Sequence, residues 1–203
     1  MKDIECFKFN INEISRTEID AAYFLMSEER REKCDRYKAD KERLICIAAD
    51  MQVRRLLSER MGIPAKELIF EYGEKGKPYL VNGRYFFNIS HSGDYIAVVL
   101  SKNNEVGIDI EKIKPVKLRL LSHFCTEQDM AFIAGESKDA FCSDVIENFE
   151  ILSRIFRVWT YKEAYVKSIG ESIAERAKEF SFDEKNCIES HFSCYRQCIV
   201  VNK

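Results

Sequence analysis

The spacing of apolar positions changes several times along the chain, and each change marks an element. Residues 3–11 read as a first strand, and Ser27-Glu28-Glu29-Arg30-Arg31-Glu32-Lys33 opens a helical, highly charged segment. Cys46, Ala49, Val53, Leu56 and Leu57 then recur at i, i+3, i+7, i+10 and i+11, which predicts a helix over residues 37–60 ending near Gly62-Ile63-Pro64. Leu68 to Tyr72 is strand-like, Gly73-Glu74-Lys75-Gly76-Lys77-Pro78 turns, and Tyr79-Leu80-Val81 resumes as a short strand.

Phe87-Asn88-Ile89-Ser90-His91-Ser92-Gly93 starts as a strand and breaks into small polar residues, so a turn is expected to hold Ser90 and His91 at the strand end. Tyr95 to Leu100 and Val106 to Glu111 flank the polar loop Ser101 to Asn104, and an antiparallel hairpin is the expected pairing. Alternation along the second strand puts Val106, Ile108 and Ile110 on one face and Gly107, Asp109 and Glu111 on the other. Past Pro115, Leu118, Leu121 and Phe124 predict a short helix, and Thr126-Glu127-Gln128-Asp129 has the form of a capping box. A long helix is expected over residues 144–169, with Phe149, Leu152, Phe156 and Trp159 forming a stripe that continues to Glu163 and Lys167. A strand at Phe180-Ser181-Phe182 and a hairpin ending in Cys198 to Val201 close the chain.

Composition changes this picture little. The chain has 203 residues, 46% of them apolar, enough for a real core in one domain or two small ones. A net charge of −2 gives no electrostatic reason to expect nucleic acid or a membrane surface as partner, and no apolar run is long enough to span a bilayer. The acidic amino terminus lacks a secretory signal, so a cytoplasmic location is expected. The eight cysteines include no CxxC pair, and in a reducing compartment they are expected as free thiols without a part in the chemistry.

Three groups of residues carry candidate chemistry. Ser90, His91 and nearby backbone N–H groups could donate to phosphate oxygens. Asp109 and Glu111, pointing the same way, would repel each other unless they share a hard cation such as Mg2+. Glu163 and Lys167, four apart, could be a surface ion pair, but they extend an aromatic stripe, which favours a third metal ligand and a phosphate-binding lysine. Glu127 is read first as an acid at a helix start.

Three blocks in order, GKP at 76–78, FNISHSG at 87–93 with VGIDIE at 106–111, and WTYKEAYVK at 159–167, resemble the 4′-phosphopantetheinyl transferases. The likeness covers most of residues 25–170 and is strongest to the surfactin-synthetase-activating branch, monomers made of two similar halves. It implies a pseudo-twofold α+β fold in which each half packs a long helix on a small antiparallel sheet, with halves at 1–104 and 105–203 and the site between them. It implies metal ligands at Asp109, Glu111 and Glu163, holding Mg2+ or Mn2+, and Lys167 near the pyrophosphate of coenzyme A as co-substrate. Ser90 and His91 match its phosphate-binding pair, Lys77 and Pro78 its Gly-Lys-Pro turn, and Arg30, Lys33 and Arg43 the basic residues that reach the 3′-phosphate. The implied reaction moves phosphopantetheine from coenzyme A to a serine of an apo acyl or peptidyl carrier protein, releasing 3′,5′-ADP. Glu163, Glu127 or a metal-bound water would serve as general base. Ser168-Ile169-Gly170-Glu171-Ser172-Ile173 departs from the branch, which bears on carrier docking there. A coenzyme A-binding regulator without turnover and an unrelated Mg2+-dependent phosphatase are the competing classes.

Overall fold

Two long helices, each ended by a glycine in the left-handed conformation, carry the two halves of the chain. The computed structural model describes residues 3–81, 83–137 and 139–202. In chain order the first half contains β1 (Ile4–Asn10), α1 (Arg16–Tyr23), α2 (Glu28–Asp35), α3 (Asp40–Met61), β2 (Phe70–Tyr72), β3 (Pro78–Leu80), β4 (Phe86–Ser92) and β5 (Tyr95–Ser101). The second contains β6 (Glu105–Lys112), β7 (Val116–Lys117), α4 (Leu121–Phe124), α5 (Glu127–Ala134), β8 (Val145–Ile146), α6 (Phe149–Ile169), α7 (Ile173–Arg176), β9 (Ile188–Phe192) and β10 (Tyr195–Asn202). Gly62 (φ 67°) ends α3 and Gly170 (φ 72°) ends α6, positions where a side chain would be strained.

The fold is mixed α+β with small antiparallel sheets. One has the order β1-β5-β4 and another β6-β10-β9, each three-stranded. The first sheet packs Ile96, Val98 and Leu100 against α3, and the second packs Cys198 and Val200 against α6. Their other faces meet, joining Ala97 and Val99 to Val106, Ile108, Ile110 and Ile199. The layers therefore run α3, sheet, sheet, α6. Gly107 makes the last contact close: a Cβ there would overlap the Ala164 carbonyl and lie 2.5 Å from Ser168 N.

Several expectations change. β5 and β6 do not form a hairpin. The β5 strand is buried on both faces and has β1 and β4 on its two edges, so no edge remains for β6, which pairs with β10. Ser90 and His91 are not in a turn; β4 continues to Ser92, and the reversal falls at Gly93-Asp94 because Ser92 pairs with Tyr95. The α6 helix starts at Phe149, not at 144: Asn148 accepts the Glu150 and Ile151 N–H groups and caps it, and residues Val145–Ile146 pair with β7. Phe149 itself is exposed. Residues 180–182 are irregular because Lys162 takes the Phe180 carbonyl and Asp129 accepts the Phe182 N–H, while Phe180 and Phe182 pack on Tyr161. Cys34 and Cys46, expected as free thiols, form a disulfide between α2 and α3. The capping box at Thr126 and Asp129 is present, and Ser15 and Glu18 form another at α1, a helix the apolar pattern missed.

Candidate active site at the seam between the sheets

Among the described residues β6 pairs with β10 alone, so its other edge presents N–H groups that need acceptors. Side chains of β4 supply them. Asn88 Oδ1 accepts the Ile108 N–H (3.0 Å), Ser90 Oγ the Ile110 N–H (3.3 Å) and Ser92 Oγ the Lys112 N–H (3.1 Å). Three side chains at alternate positions on one strand thus serve three alternate amides on the other. The same hydroxyls hold the acids, Ser90 donating to Asp109 Oδ1 at 2.8 Å and Ser92 to Glu111 Oε2 at 2.7 Å.

Lys167 reaches this seam from α6, donating to Asp109 Oδ1 at 2.5 Å and to Ser90 Oγ at 3.2 Å. Burial works against its charge, but Asp109, Glu163 and Glu111 outweigh that and raise its pKa. Glu163, one turn earlier, lies among the same charges. Burial pushes its carboxyl up to about 7, Lys167 opposes the rise, and Asp109 and Glu111 add to it. Burial also raises Glu111, with Ser92 opposing and Asp109 adding. The sequence thus placed Asp109, Glu111, Glu163 and Lys167 in one neighbourhood, and the structure brings them together.

Whether a cation fits turns on donor chemistry. Among the described residues no three His, Cys, Asp or Glu side chains converge into a ready metal nest, and Lys167 supplies the positive charge at Asp109. Asp109 Oδ2, however, is buried without a hydrogen-bond partner, and the neighbouring donors are carboxylates, the oxygen ligands a hard cation takes. The donor set fits such an ion.

The other expected residues divide into two groups. Arg30 and Lys33 line a cavity of about 440 Å³ with Arg36, Tyr72, Gly73 and Gly76, and with the acids Glu29 and Glu74. Gly76 also borders a cavity of about 210 Å³ lined by Lys75, Lys77, Pro78, Asn88, Lys167, Gly170 and Glu171, so the path that leads to the seam carries more cations than acids and is net basic. Burial holds the Lys33 ammonium below its usual pKa, helped by the Arg30 charge. Arg36 was passed over in the sequence because it lay in a charge run with no period to single it out.

His91 lies on the other side of β4 from Ser90, at an exposed position, and its crowded surroundings lower its pKa. Ser90 is fully engaged: its hydroxyl donates once, to Asp109, and accepts twice, from the Ile110 N–H and Lys167. Lys77 is held by Glu105 at 2.5 Å and by the Ser168 carbonyl at 3.0 Å, tying β3 to β6 and α6. Arg43 is held by Asp35 and lies over the Tyr23 ring, bracing α1, α2 and α3. Glu127 is exposed in the first turn of α5, and among the described residues no hydrogen bond or ion pair links it to the acids. The buried acid of that turn is Asp129, paired with Lys162. An apolar cavity of about 310 Å³ opens beside Glu111, lined by Val116, Leu120, Phe124, Phe156 and Trp159.

Two family models match the chain in sequence: one described as 4'-phosphopantetheinyl transferase, N-terminal, over residues 13–103, and one described as the 4'-phosphopantetheinyl transferase superfamily over residues 105–197. The chain belongs to the 4′-phosphopantetheinyl transferase superfamily, and it is an enzyme of the Sfp type. It is 28% identical over 173 residues to the 4'-phosphopantetheinyl transferase gsp of Aneurinibacillus migulanus, covering 85% of this chain and 68% of that one. Against the 4'-phosphopantetheinyl transferase Sfp of Bacillus subtilis (strain 168) it is 27% identical over 190 residues, 90% of this chain and 80% of the relative. With the 4'-phosphopantetheinyl transferase AcpT of Escherichia coli O157:H7 it shares 40% over 121 residues, 59% and 56% of the two chains. Among the described residues no helix is long and apolar enough to cross a membrane.

Proposed function

We propose that this enzyme transfers 4′-phosphopantetheine from coenzyme A to a serine of an apo acyl or peptidyl carrier protein and releases 3′,5′-ADP. The observation that carries this reading is the meeting of Lys167, Asp109 and Ser90 at the end of a basic path. The carrier serine Oγ bonds to the β-phosphorus of coenzyme A, the bond from that phosphorus to the bridging oxygen breaks, and the nucleotide leaves with the bridging oxygen. Arg30, Lys33 and Arg36 bind the 3′-phosphate, and Lys167 neutralises charge on the pyrophosphate. Glu163 takes the serine proton through a carboxylate oxygen that the metal leaves free. Asp109, Glu111 and Glu163 would hold Mg2+ or Mn2+, which when bound polarises the phosphorus and steadies the leaving oxygen. The apolar cavity beside Glu111 receives the carrier's approach.

We read the two halves, 1–104 and 105–203, as related by a pseudo-twofold axis. Matching layers of one long helix on one three-stranded sheet support this, as do the family models that adjoin at 103 and 105. The enzyme acts as a cytoplasmic monomer on this reading. Incubation with coenzyme A, Mg2+ and several apo carrier proteins, read by intact mass, tests it. A mass gain of one phosphopantetheine on a carrier serine is expected. Coenzyme A binding without any mass gain would leave a regulator instead, and loss of phosphate from coenzyme A would leave a phosphatase.

A further inference from the structure

The two hydroxyls of β4 that hold the acids are not equivalent. Asp109 is fixed twice, by Ser90 and by Lys167, and it is buried. Glu111 lies nearer the open end of the seam, where Ser92 donates to its carboxylate at 2.7 Å and the Trp159 ring N–H, on α6, gives it weaker support. Ser92 is itself fixed, because its Oγ accepts the Lys112 N–H one residue beyond Glu111. Two attachments, one to the backbone of β6 and one to its acid, therefore set where Glu111 points.

We propose that Ser92 is the positioning residue for Glu111: it turns that carboxylate toward Asp109 so that the two address one cation. This rests on the assignment of Asp109 and Glu111 as metal ligands made above. Ser92 does not touch substrate; it acts through the glutamate. Losing a group that orients a ligand typically costs about 10–100-fold in metal affinity. The neighbouring hydroxyl on β4 cannot compensate, since Ser90 already donates once and accepts twice.

The experiment titrates Mn2+ into the protein saturated with coenzyme A and follows free Mn2+ by electron paramagnetic resonance, with coenzyme A affinity and melting temperature measured beside it. For Ser92→Ala the Mn2+ affinity should fall by about tenfold or more. Coenzyme A affinity without metal and the melting temperature should hold, because the exposed Lys112 N–H then turns to water. Ser92→Thr keeps the hydroxyl on a strand, where a β-branched residue is favoured, and should bind Mn2+ within about threefold of the parent. Equal Mn2+ affinity in the parent and Ser92→Ala overturns the role of Ser92 and leaves the ligand assignment intact. So does a Ser92→Thr protein as weak as Ser92→Ala. A parallel fall in coenzyme A affinity and melting temperature makes Ser92 a structural residue of the seam and overturns the proposal. A parent protein that binds no Mn2+ removes the ligand assignment, and the proposal with it.

Discussion

Lys162 and Asp129 face each other across 2.7 Å, and neither side chain reaches solvent. The ammonium also donates to the Ala177 and Phe180 carbonyls, which uses its three hydrogens. Asp129 in turn accepts the Thr126 N–H and the Phe182 N–H, so one buried pair ties α5 and the segment after α7 to the helix that carries Glu163. Lys162→Met would leave a buried carboxylate without its cation and should cost about 3–5 kcal/mol. Urea denaturation of Lys162→Met, Asp129→Asn and the double variant checks this: the double loss should fall well below the sum of the singles. Additive losses would show that the pair does not act as a unit.

Gly107 lets β6 lie against α6. A methyl group there would meet the Ala164 carbonyl and the Ser168 backbone, atoms that cannot swing aside as a flexible side-chain end does. Gly107→Ala should lower stability by about 3 kcal/mol and should weaken transfer in whatever protein still folds, because the same shift draws Asp109 away from Lys167. A melting temperature near that of the parent would mean the layers part more easily than this packing allows.

Glu163 links stability to pH. Its folded pKa, about 7, exceeds the ordinary 4.5, so folding favours the protonated form. The contribution is fully present below the ordinary value and is lost as pH rises through about 7. Without metal, Glu163→Gln should therefore gain stability over the parent at pH 8 by roughly 1–3 kcal/mol, and little at pH 4. Thermal melts at the two pH values measure the difference, and equal gains at both would contradict the shift. Transfer by the same variant should fall by roughly a hundredfold or more.

Cys34 is the buried residue of α2, a helix otherwise made of charged side chains, and its disulfide to Cys46 holds that helix on α3. Arg30 and Lys33 ride on α2 into the basic cavity. Opening a loop of this size should cost about 3 kcal/mol. Dithiothreitol, or Cys34→Ser with Cys46→Ser, should lower the melting temperature and weaken coenzyme A binding more than transfer at saturating coenzyme A. Identical melts with and without reductant would remove the bridge.

Much of the site was legible because it depends on local repeats. Alternation placed Asp109 and Glu111 on one face of a strand, and helical spacing placed Glu163 and Lys167 on one line, properties that follow from backbone geometry whatever the partners are. The same holds for the long helices and the glycines that end them.

Partner choice was not legible, because it is settled by residues far apart in the chain. Apolar pattern made Tyr95 to Leu100 and Val106 to Glu111 strands, but it could not show that β5 had both edges filled and that β6 would turn to a strand some ninety residues on. That decision left a row of β6 amides to be met by Asn88, Ser90 and Ser92, and so made Ser90 a holder of Asp109. Lys77 went to Glu105, Arg43 to Asp35, and Lys162 to Asp129 for the same reason. The sequence by itself determined which side chains share a face. Tertiary packing alone decided which charge each one meets, since a buried polar group takes whatever partner the fold brings within hydrogen-bond reach.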